Sequence, residues 1–224
     1  MNNYGINIWS DDNFVIEDGL AKINHDCKPS LISIVKDIRK QDFKGPLLLR
    51  FPHITEKQIN TLYNTFNASI KEYDYKGNFN AVFPLKVNQL PNFIHPLINE
   101  GKKFNYGLEA GSKAELVIAM TYNNINSPIT VNGFKDKEMI HLGFIAKSMG
   151  HDITLIIEGL NELEMIIEVL NETKMEAPSI GLRVRLHSGG SGLWAKSGGI
   201  NSKFGLTSTE ILEAYELMED NNIV

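Results

Sequence analysis

The sequence predicts an α/β fold in which parallel strands alternate with helices, and three observations support this prediction. Five short apolar segments begin at residues 81, 103, 128, 153 and 180, so their starts lie 22, 25, 25 and 27 residues apart. Segments with helical periodicity separate them. The composition, with 42% hydrophobic and 22% charged residues, is that of a globular protein. A strand–helix repeat of this spacing buries apolar strands in a parallel sheet that helices cover.

The N-terminal part predicts a small sheet followed by a helix. Short runs of alternating apolar and polar side chains occupy the first 25 or so residues and predict two or three strands. Ser30 has the residue type of a helix N-cap and precedes apolar positions at helical spacing, so a helix is predicted to begin there. We expect the strands, over residues 1–27, to contribute to a β-domain.

Residues 28–78 predict a helix–strand–helix lead-in to the repeat. The segment 46–52 (PLLLRFP) is an apolar run bounded by prolines, which predicts a buried strand. Thr55 and Gln58 have the spacing of a capping box, so the second helix of the lead-in is predicted to begin at Thr55.

Regular alternation of strands and helices begins at residue 79. The predicted strands are 81–87, 103–108, 128–132, 153–158 and 180–186, and the predicted helices are 89–100, 112–122, 136–149 and 160–173. Capping-box spacing marks the start of three helices, one of them a fifth helix near the end of the chain. The pairs are Ser112 with Glu115, Asn161 with Glu164 as a weaker example, and Thr207 with Glu210.

Two architectures fit this repeat, an open doubly wound sheet and a (β/α)8 TIM-type barrel. A glycine-rich dinucleotide fingerprint after the first strand would favour the open sheet, but the sequence there is KVNQLP. The barrel is therefore the better prediction. A barrel needs eight strand–helix units, and residues 79–224 supply about five. We expect an incomplete barrel that is the N-terminal part of a longer protein.

Composition excludes several classes of function. A formal charge of −5 disfavours nucleic acid as the main partner. No apolar stretch is long enough to span a membrane, and no signal peptide begins the chain. The single cysteine, Cys27, excludes an internal disulfide and is consistent with the cytoplasm. The six histidines lack metal-binding spacing, so no metal ligands are predicted.

Lys86 is the most informative residue for function. It ends the first apolar strand of the repeat, immediately before a polar loop. Active sites of βα folds assemble at the carboxyl ends of strands, and we expect a lysine there to be partly desolvated and able to form a Schiff base. The alternative is a strand-end lysine whose amine extends into solvent.

Polar residues near the ends of other strands are predicted to share this edge of the sheet. Glu109 precedes a helix, Asn132 and Gly133 end the third strand, and Arg183 and Arg185 lie on one side of the fifth. An acid and a guanidinium beside a reactive lysine would orient it and hold an anionic ligand. Alternatively, Glu109 interacts with a helix dipole and the arginines pair with surface acids.

A glycine-rich segment follows the fifth strand, with six glycines in residues 187–205. It lacks the spacing of a Walker loop, so it does not predict a nucleotide site. A lid over an active site and an ordinary flexible connection are both consistent with it.

Several strings of the sequence resemble the biosynthetic arginine decarboxylases of bacteria and plants, a family of alanine-racemase-like (fold type III) enzymes dependent on pyridoxal 5′-phosphate (PLP). The main strings are 82–89 (VFPLKVNQ), 107–116 (GLEAGSKAEL) and 132–136 (NGFKD). Shorter ones are 48–52 (LLRFP), 149–151 (MGH), 181–186 (GLRVRL), 191–194 (SGLW) and 202–206 (SKFGL). They occur in consistent order over nearly the whole chain.

The resemblance implies a carbon–carbon lyase that converts L-arginine to agmatine and CO₂ for polyamine and spermidine synthesis. Lys86 would be the catalytic lysine that bonds PLP covalently, with Glu109 and Arg183 near the cofactor, and residues 79–224 would form the PLP-binding barrel. The family also implies Mg²⁺, a cytoplasmic location, and a homo-oligomer whose subunits share active sites.

The resemblance leaves alternatives open. Other family elements, among them the histidine that stacks on the cofactor and the groups that bind the substrate side chain, would lie beyond residue 224. The chain alone is therefore expected to be inactive. An ornithine or diaminopimelate decarboxylase, or a non-catalytic truncated or regulatory fragment, also fits the sequence.

Overall fold

The computed structural model describes residues 5–186 and 205–223. The chain divides into two compact units, Met1–Ile54 and Thr55–Val224, and each is described by itself. The glycine-rich segment predicted as a lid or connection lies almost entirely outside the described residues.

The first unit contains one antiparallel hairpin, of strands β1 (Phe14–Glu17) and β2 (Leu20–Ile23). Asp18 and Gly19 both have positive φ, 55° and 73°, as a two-residue type I′ hairpin turn requires. This confirms two predicted strands.

Of the two or three predicted strands, the third is not found among residues 5–27, because helix α1 (Ile6–Trp9) occupies its position. The Ser10 amide donates to the Ile6 carbonyl at 2.9 Å and closes this helical turn. Asp11 and Asp12 then adopt left-handed φ values of 47° and 58° and reverse the chain before β1.

The predicted N-cap at Ser30 is confirmed, since its side chain accepts a hydrogen bond from the Ser33 amide at 3.1 Å and begins α2 (Leu31–Lys40). The strand over 46–52 was wrongly predicted: residues 46–51 form no ladder, and Leu48 is 74% exposed. An apolar run between prolines lacks two of the N–H groups that a ladder needs.

Helix α3 (Pro52–Glu72) begins three residues before the predicted start at Thr55. Proline is favoured in the first turn of a helix, where its missing N–H has no intrahelical partner to lose. The capping-box spacing of Thr55 and Gln58 therefore does not mark this helix start.

The second unit contains the predicted five-stranded parallel sheet, in the order β3-β4-β5-β6-β7. The strands are β3 (Val82–Pro84), β4 (Gly107–Ala110), β5 (Ile129–Val131), β6 (Ile153–Ile157) and β7 (Ser179–Leu182). The helices are α4 (Pro91–Gly101), α5 (Lys113–Tyr122), α6 (Lys137–Ser148), α7 (Leu160–Thr173) and α8 (Ser208–Asp220). This matches the predicted partial barrel in element type and order.

One face of this sheet forms the core of the unit. Leu108, Ile129 and Leu155 are completely buried and pack in one apolar cluster with helix residues such as Phe144. Fully burying a side chain of this size contributes about 1.5–3 kcal/mol. Residues on the opposite face, including Thr154, are only partly buried among the described residues.

Several predicted boundaries of the repeat were wrong. The strands predicted over 81–87 and 180–186 end early, at Pro84 and Leu182. The predicted strand 103–108 starts late, as β4, because Lys102–Phe104 form a 3₁₀ turn that ends at Asn105 in left-handed backbone (φ 53°). Gly107 then permits close approach to the next strand, because a Cβ there would lie 1.9 Å from the Pro128 carbonyl oxygen.

The Asn161–Glu164 capping box was also wrong. Helix α7 begins at Leu160 with Gly159 as its N-cap, and no side chain caps it. The Thr207–Glu210 capping box of α8 is present as predicted.

Candidate active site

Lys86 lies in a turn just after β3, at the carboxyl edge of the parallel sheet. Two backbone hydrogen bonds fix this turn: Leu85 donates to the Glu109 carbonyl at 2.9 Å, and Val87 donates to the Pro84 carbonyl at 3.0 Å. The side chain of Lys86 is exposed, so the expected partial desolvation is not found among the described residues. The backbone is thus held on both sides of an accessible amine.

Glu109 lies on the strand next to Lys86. It pairs in register with Pro84 of β3 and Thr130 of β5, and it is partly buried on the sheet face opposite the helix-covered core. Within the described ranges, no hydrogen bond is found to its carboxylate. It does not cap a helix, because α5 is capped by Ser112. Lys86, in the turn after β3, and Glu109, on the neighbouring strand β4, therefore lie at the same edge of the sheet.

Arg183 reaches the same edge but is not adjacent to Lys86. It directly follows β7, four strand steps from β3, or about 19 Å along a sheet at roughly 4.8 Å per step. Its backbone amide donates to the Ile157 carbonyl at 3.0 Å, and its guanidinium pairs with Glu158 at 2.6 Å. The pairing with an acid was the alternative expectation for Arg183. Its side chain is 44% exposed.

Arg185 was predicted to share a strand with Arg183, but β7 ends at Leu182. The Arg185 side chain donates to the Gly205 carbonyl oxygen through Nε at 3.1 Å. This arginine therefore holds the chain that enters α8.

Glu115 is a residue whose role the sequence did not reveal. Its carboxylate accepts from the Gln89 side-chain amide at 2.9 Å and from the Gly111 backbone amide at 2.7 Å. It was predicted to reach back to Ser112, whose hydroxyl does accept from the Glu115 amide, at 3.3 Å. The buried carboxylate instead joins the loop that follows Lys86 to the loop that follows β4.

Lys135 and Glu162 form a second connection that the sequence did not reveal. The Lys135 side chain is 0% exposed and the Glu162 side chain is 3% exposed, and Nζ lies 3.1 Å from Oε2. Glu162, like Glu115, is the third residue of a helix that follows a strand of the sheet. That shared position is the signal in the sequence that could have identified both acids.

Charged groups also join the starts of α5 and α6 at this edge. Lys113 forms ion pairs with Asp136 at 2.7 Å and with Glu138 at 2.5 Å. The hydrogen bond from Lys113 lowers the pKa of Asp136, and a hydrogen bond from the Met139 amide lowers it further. The same pairing raises the pKa of Lys113, with Asp136 as the larger cause and Glu138 as the next. Lys113 and Asp136 therefore stay charged at neutral pH.

The parts of the chain that the structure describes contain no group of three or more His, Cys, Asp or Glu residues arranged to hold a metal ion. Across the same residues, no helix combines the length and apolar character needed to cross a membrane.

The chain is similar to proteins of one known family. The family model described as "Pyridoxal-dependent decarboxylase, pyridoxal binding domain" matches residues 57–223. A biosynthetic arginine decarboxylase of Bacteroides thetaiotaomicron is 39% identical over 98% of this chain, which corresponds to 36% of that protein. One from Prochlorococcus marinus is 36% identical over 100% of this chain and 35% of its own length. The chain thus spans about a third of the curated relatives it matches.

Solved structures give the same result. The crystal structure of the biosynthetic arginine decarboxylase of Campylobacter jejuni has a TM-score of 0.91 and 56% identity, covering 100% of this chain and 36% of the other. Diaminopimelate decarboxylase of M. jannaschii, solved with L-lysine, has a TM-score of 0.65 and 23% identity, covering 93% of this chain and 45% of its own. At that identity the second likeness shows the fold alone.

Proposed function

Because the chain belongs to the pyridoxal-dependent decarboxylase family, we propose that it is the cofactor-binding part of an enzyme that converts L-arginine to agmatine and CO₂. Relatives named biosynthetic arginine decarboxylase, at 36–39% identity over nearly the whole chain, support this substrate. The whole activity would require the remaining length of the protein, since the chain spans 36% of such relatives.

Lys86 carries the proposal. Its amine is exposed at the carboxyl edge of the sheet while its backbone is hydrogen-bonded on both sides. A primary amine is the group that bonds the aldehyde of PLP. Arg183, whose side chain is 44% exposed, has the charge to hold an anionic group of cofactor or substrate. The residue types at this edge therefore fit PLP.

We assign separate roles to the side chains at this edge. Lys86 would hold the cofactor covalently through its amine, and the amine of the substrate would take the place of the lysine amine. Glu109, one strand away, would hold a proton or a positively charged group beside Lys86. Glu115 would keep the Lys86 loop in place through Gln89. When bound, PLP supplies an electron sink that delocalises the charge left by the departing CO₂.

An assay of the full-length protein that contains this chain tests the proposed reaction. Incubated separately with L-arginine, L-ornithine and diaminopimelate, it is expected to release CO₂ from arginine and to form agmatine. Lys86→Ala removes the amine and is expected to abolish the reaction. Lys103→Ala, which changes an exposed lysine of the 3₁₀ turn, is the matched control and should retain it.

Two results would contradict the proposal. Release of CO₂ from ornithine or diaminopimelate, but not from arginine, would assign the chain to another decarboxylase of this fold. Unchanged turnover in Lys86→Ala would remove this lysine from the reaction.

The proposal extends to the setting of the enzyme. We infer a cytoplasmic role in polyamine synthesis from the biosynthetic names of the relatives and the single cysteine of the chain. We also infer a homo-oligomer whose subunits share active sites, as the family resemblance implies, and sedimentation of the full-length protein tests this. The family resemblance further implies Mg²⁺, and loss of activity on dialysis against EDTA, restored by Mg²⁺, would support it.

A further inference from the structure

Lys135 and Glu162 form a buried ion pair that the proposed reaction does not use. Both side chains are removed from solvent, and their charged atoms lie 3.1 Å apart. Removing two charges from water is costly, and an apolar pair of similar size is often at least as stable. Stability alone therefore does not account for this pair.

The hydrogen bonds of the pair fix the backbone at the ends of two strands. Lys135 Nζ also donates to the Gly133 carbonyl oxygen at 2.6 Å, just after β5. Glu162 Oε1 accepts from the Lys135 backbone amide at 3.0 Å, and Oε2 accepts from the Glu158 backbone amide at 2.9 Å, just after β6. A single carboxylate thus sets the positions of the loops after β5 and β6.

Glu158 extends the connection to a third strand. The backbone amide of Glu158 donates to Glu162. The side chain of Glu158, which is 13% exposed, accepts a hydrogen bond from the Arg183 guanidinium at 2.6 Å. The Arg183 backbone amide donates a hydrogen bond to the carbonyl oxygen of Ile157, the residue before Glu158. A continuous series of contacts therefore runs from Lys135 through Glu162 and Glu158 to Arg183.

We propose that Lys135 and Glu162 are positioning residues that set the location of Arg183 through Glu158. The role of Arg183 in cofactor binding rests on the proposed function. The series of contacts from Lys135 to Arg183 does not depend on it. Lys137, two residues along, is not buried in this way. It pairs with Glu168 and Glu172 at the surface, where all three side chains are 43–60% exposed.

The test compares Lys135→Met, the double variant Lys135→Met/Glu162→Gln, and the control Lys137→Met in the full-length protein. Lys135→Met leaves the Glu162 carboxylate buried without its partner, so the denaturation midpoint should fall. The double variant leaves no unpaired buried charge, so its midpoint should return towards that of the unmodified protein. It still lacks the donor to Gly133 and the carboxylate that holds two backbone amides.

Amide hydrogen exchange, measured in the absence of PLP, reports how firmly the pair holds the backbone at these strand ends. The double variant is expected to exchange faster at the amides of residues 133–135 and 157–159 and at Arg183, whereas the control should not. Unchanged exchange at all three places in a stable double variant would overturn the proposal, whether or not PLP binds.

Titration with PLP measures the consequence for the site. In the double variant the PLP concentration at half-saturation should rise about tenfold, which is within the range of coupling between residues of one hydrogen-bond network. The control variant should bind PLP as the unmodified protein does. Recovery of both stability and PLP affinity in the double variant would show a purely structural pair and overturn the proposal. If the unmodified protein does not bind PLP, the proposed function fails and hydrogen exchange alone decides the positioning role.

Discussion

His151 is a buried histidine with an unsatisfied ring nitrogen. Only 6% of the residue is exposed, and its Nδ1 has no hydrogen-bond partner among the described residues. Burial lowers the pKa of His151, because the charged imidazolium would lose its hydration. Folding therefore favours the neutral form of His151.

The burial of His151 predicts that the free energy of unfolding decreases as the pH decreases. As pH drops below about 6.5, the ordinary pKa of histidine, the unfolded chain takes up a proton that folded His151 does not. The free energy of unfolding should therefore decrease from pH 6.5 down to the lowered folded pKa. Urea denaturation at pH 7.5 and 5.5 measures this.

Two variants isolate the effect of His151. His151→Gln cannot titrate and should show a smaller loss of stability between the two pH values than the unmodified chain. His141→Gln, a change at an exposed histidine, should leave that loss unaltered. An equal loss in His151→Gln and the unmodified chain would show that other groups cause it.

At the scale of an element, α8 shows how a helix start is specified. Thr207 accepts from the Glu210 amide at 3.3 Å, and the Glu210 carboxylate accepts from the Thr207 amide at 2.7 Å. Thr207→Ala should lower the free energy of unfolding by about 1 kcal/mol. Thr209→Ala, at an exposed position two residues later, should change it by less than about 0.5 kcal/mol. Equal effects, measured by urea denaturation, would contradict a specific role for the cap.

The elements that the sequence predicted correctly are those specified by local signals. Apolar periodicity and caps such as Ser30 and Thr207 act within a few residues, so the order of strands and helices in the repeat was predictable. Residues 46–52 have the apolar pattern of a strand, but a ladder also needs N–H donors and a partner that local pattern does not supply.

The site follows the same rule. The position of Lys86 at the carboxyl edge of the sheet was predictable, because the end of a parallel strand is a fixed place in the fold. The pairings of Glu115 with Gln89 and of Lys135 with Glu162 span 26 and 27 residues, so they depend on which strands become neighbours. The pairing of Arg183 with Glu158 is equally non-local.

At the scale of the whole molecule, the two faces of the parallel sheet should differ in their energetic importance. Leu155 and Ile156 are consecutive residues of β6, but Leu155 is fully buried against the helix-covered core and Ile156 is partly exposed on the other face. Leu155→Ala should cost about 2–5 kcal/mol. Ile156→Ala should cost clearly less in this chain, as measured by urea denaturation. Equal costs would show that both faces are packed alike.

Covalent trapping shows whether Lys86 bonds PLP, as we propose. The protein would be incubated with PLP, reduced with borohydride, digested and mapped by mass spectrometry. We expect the reduced pyridoxyl group on Lys86, with no such label at the exposed Lys103 and none on the corresponding peptide of Lys86→Ala. A label at other lysines with none on Lys86 would contradict the assignment of the active site.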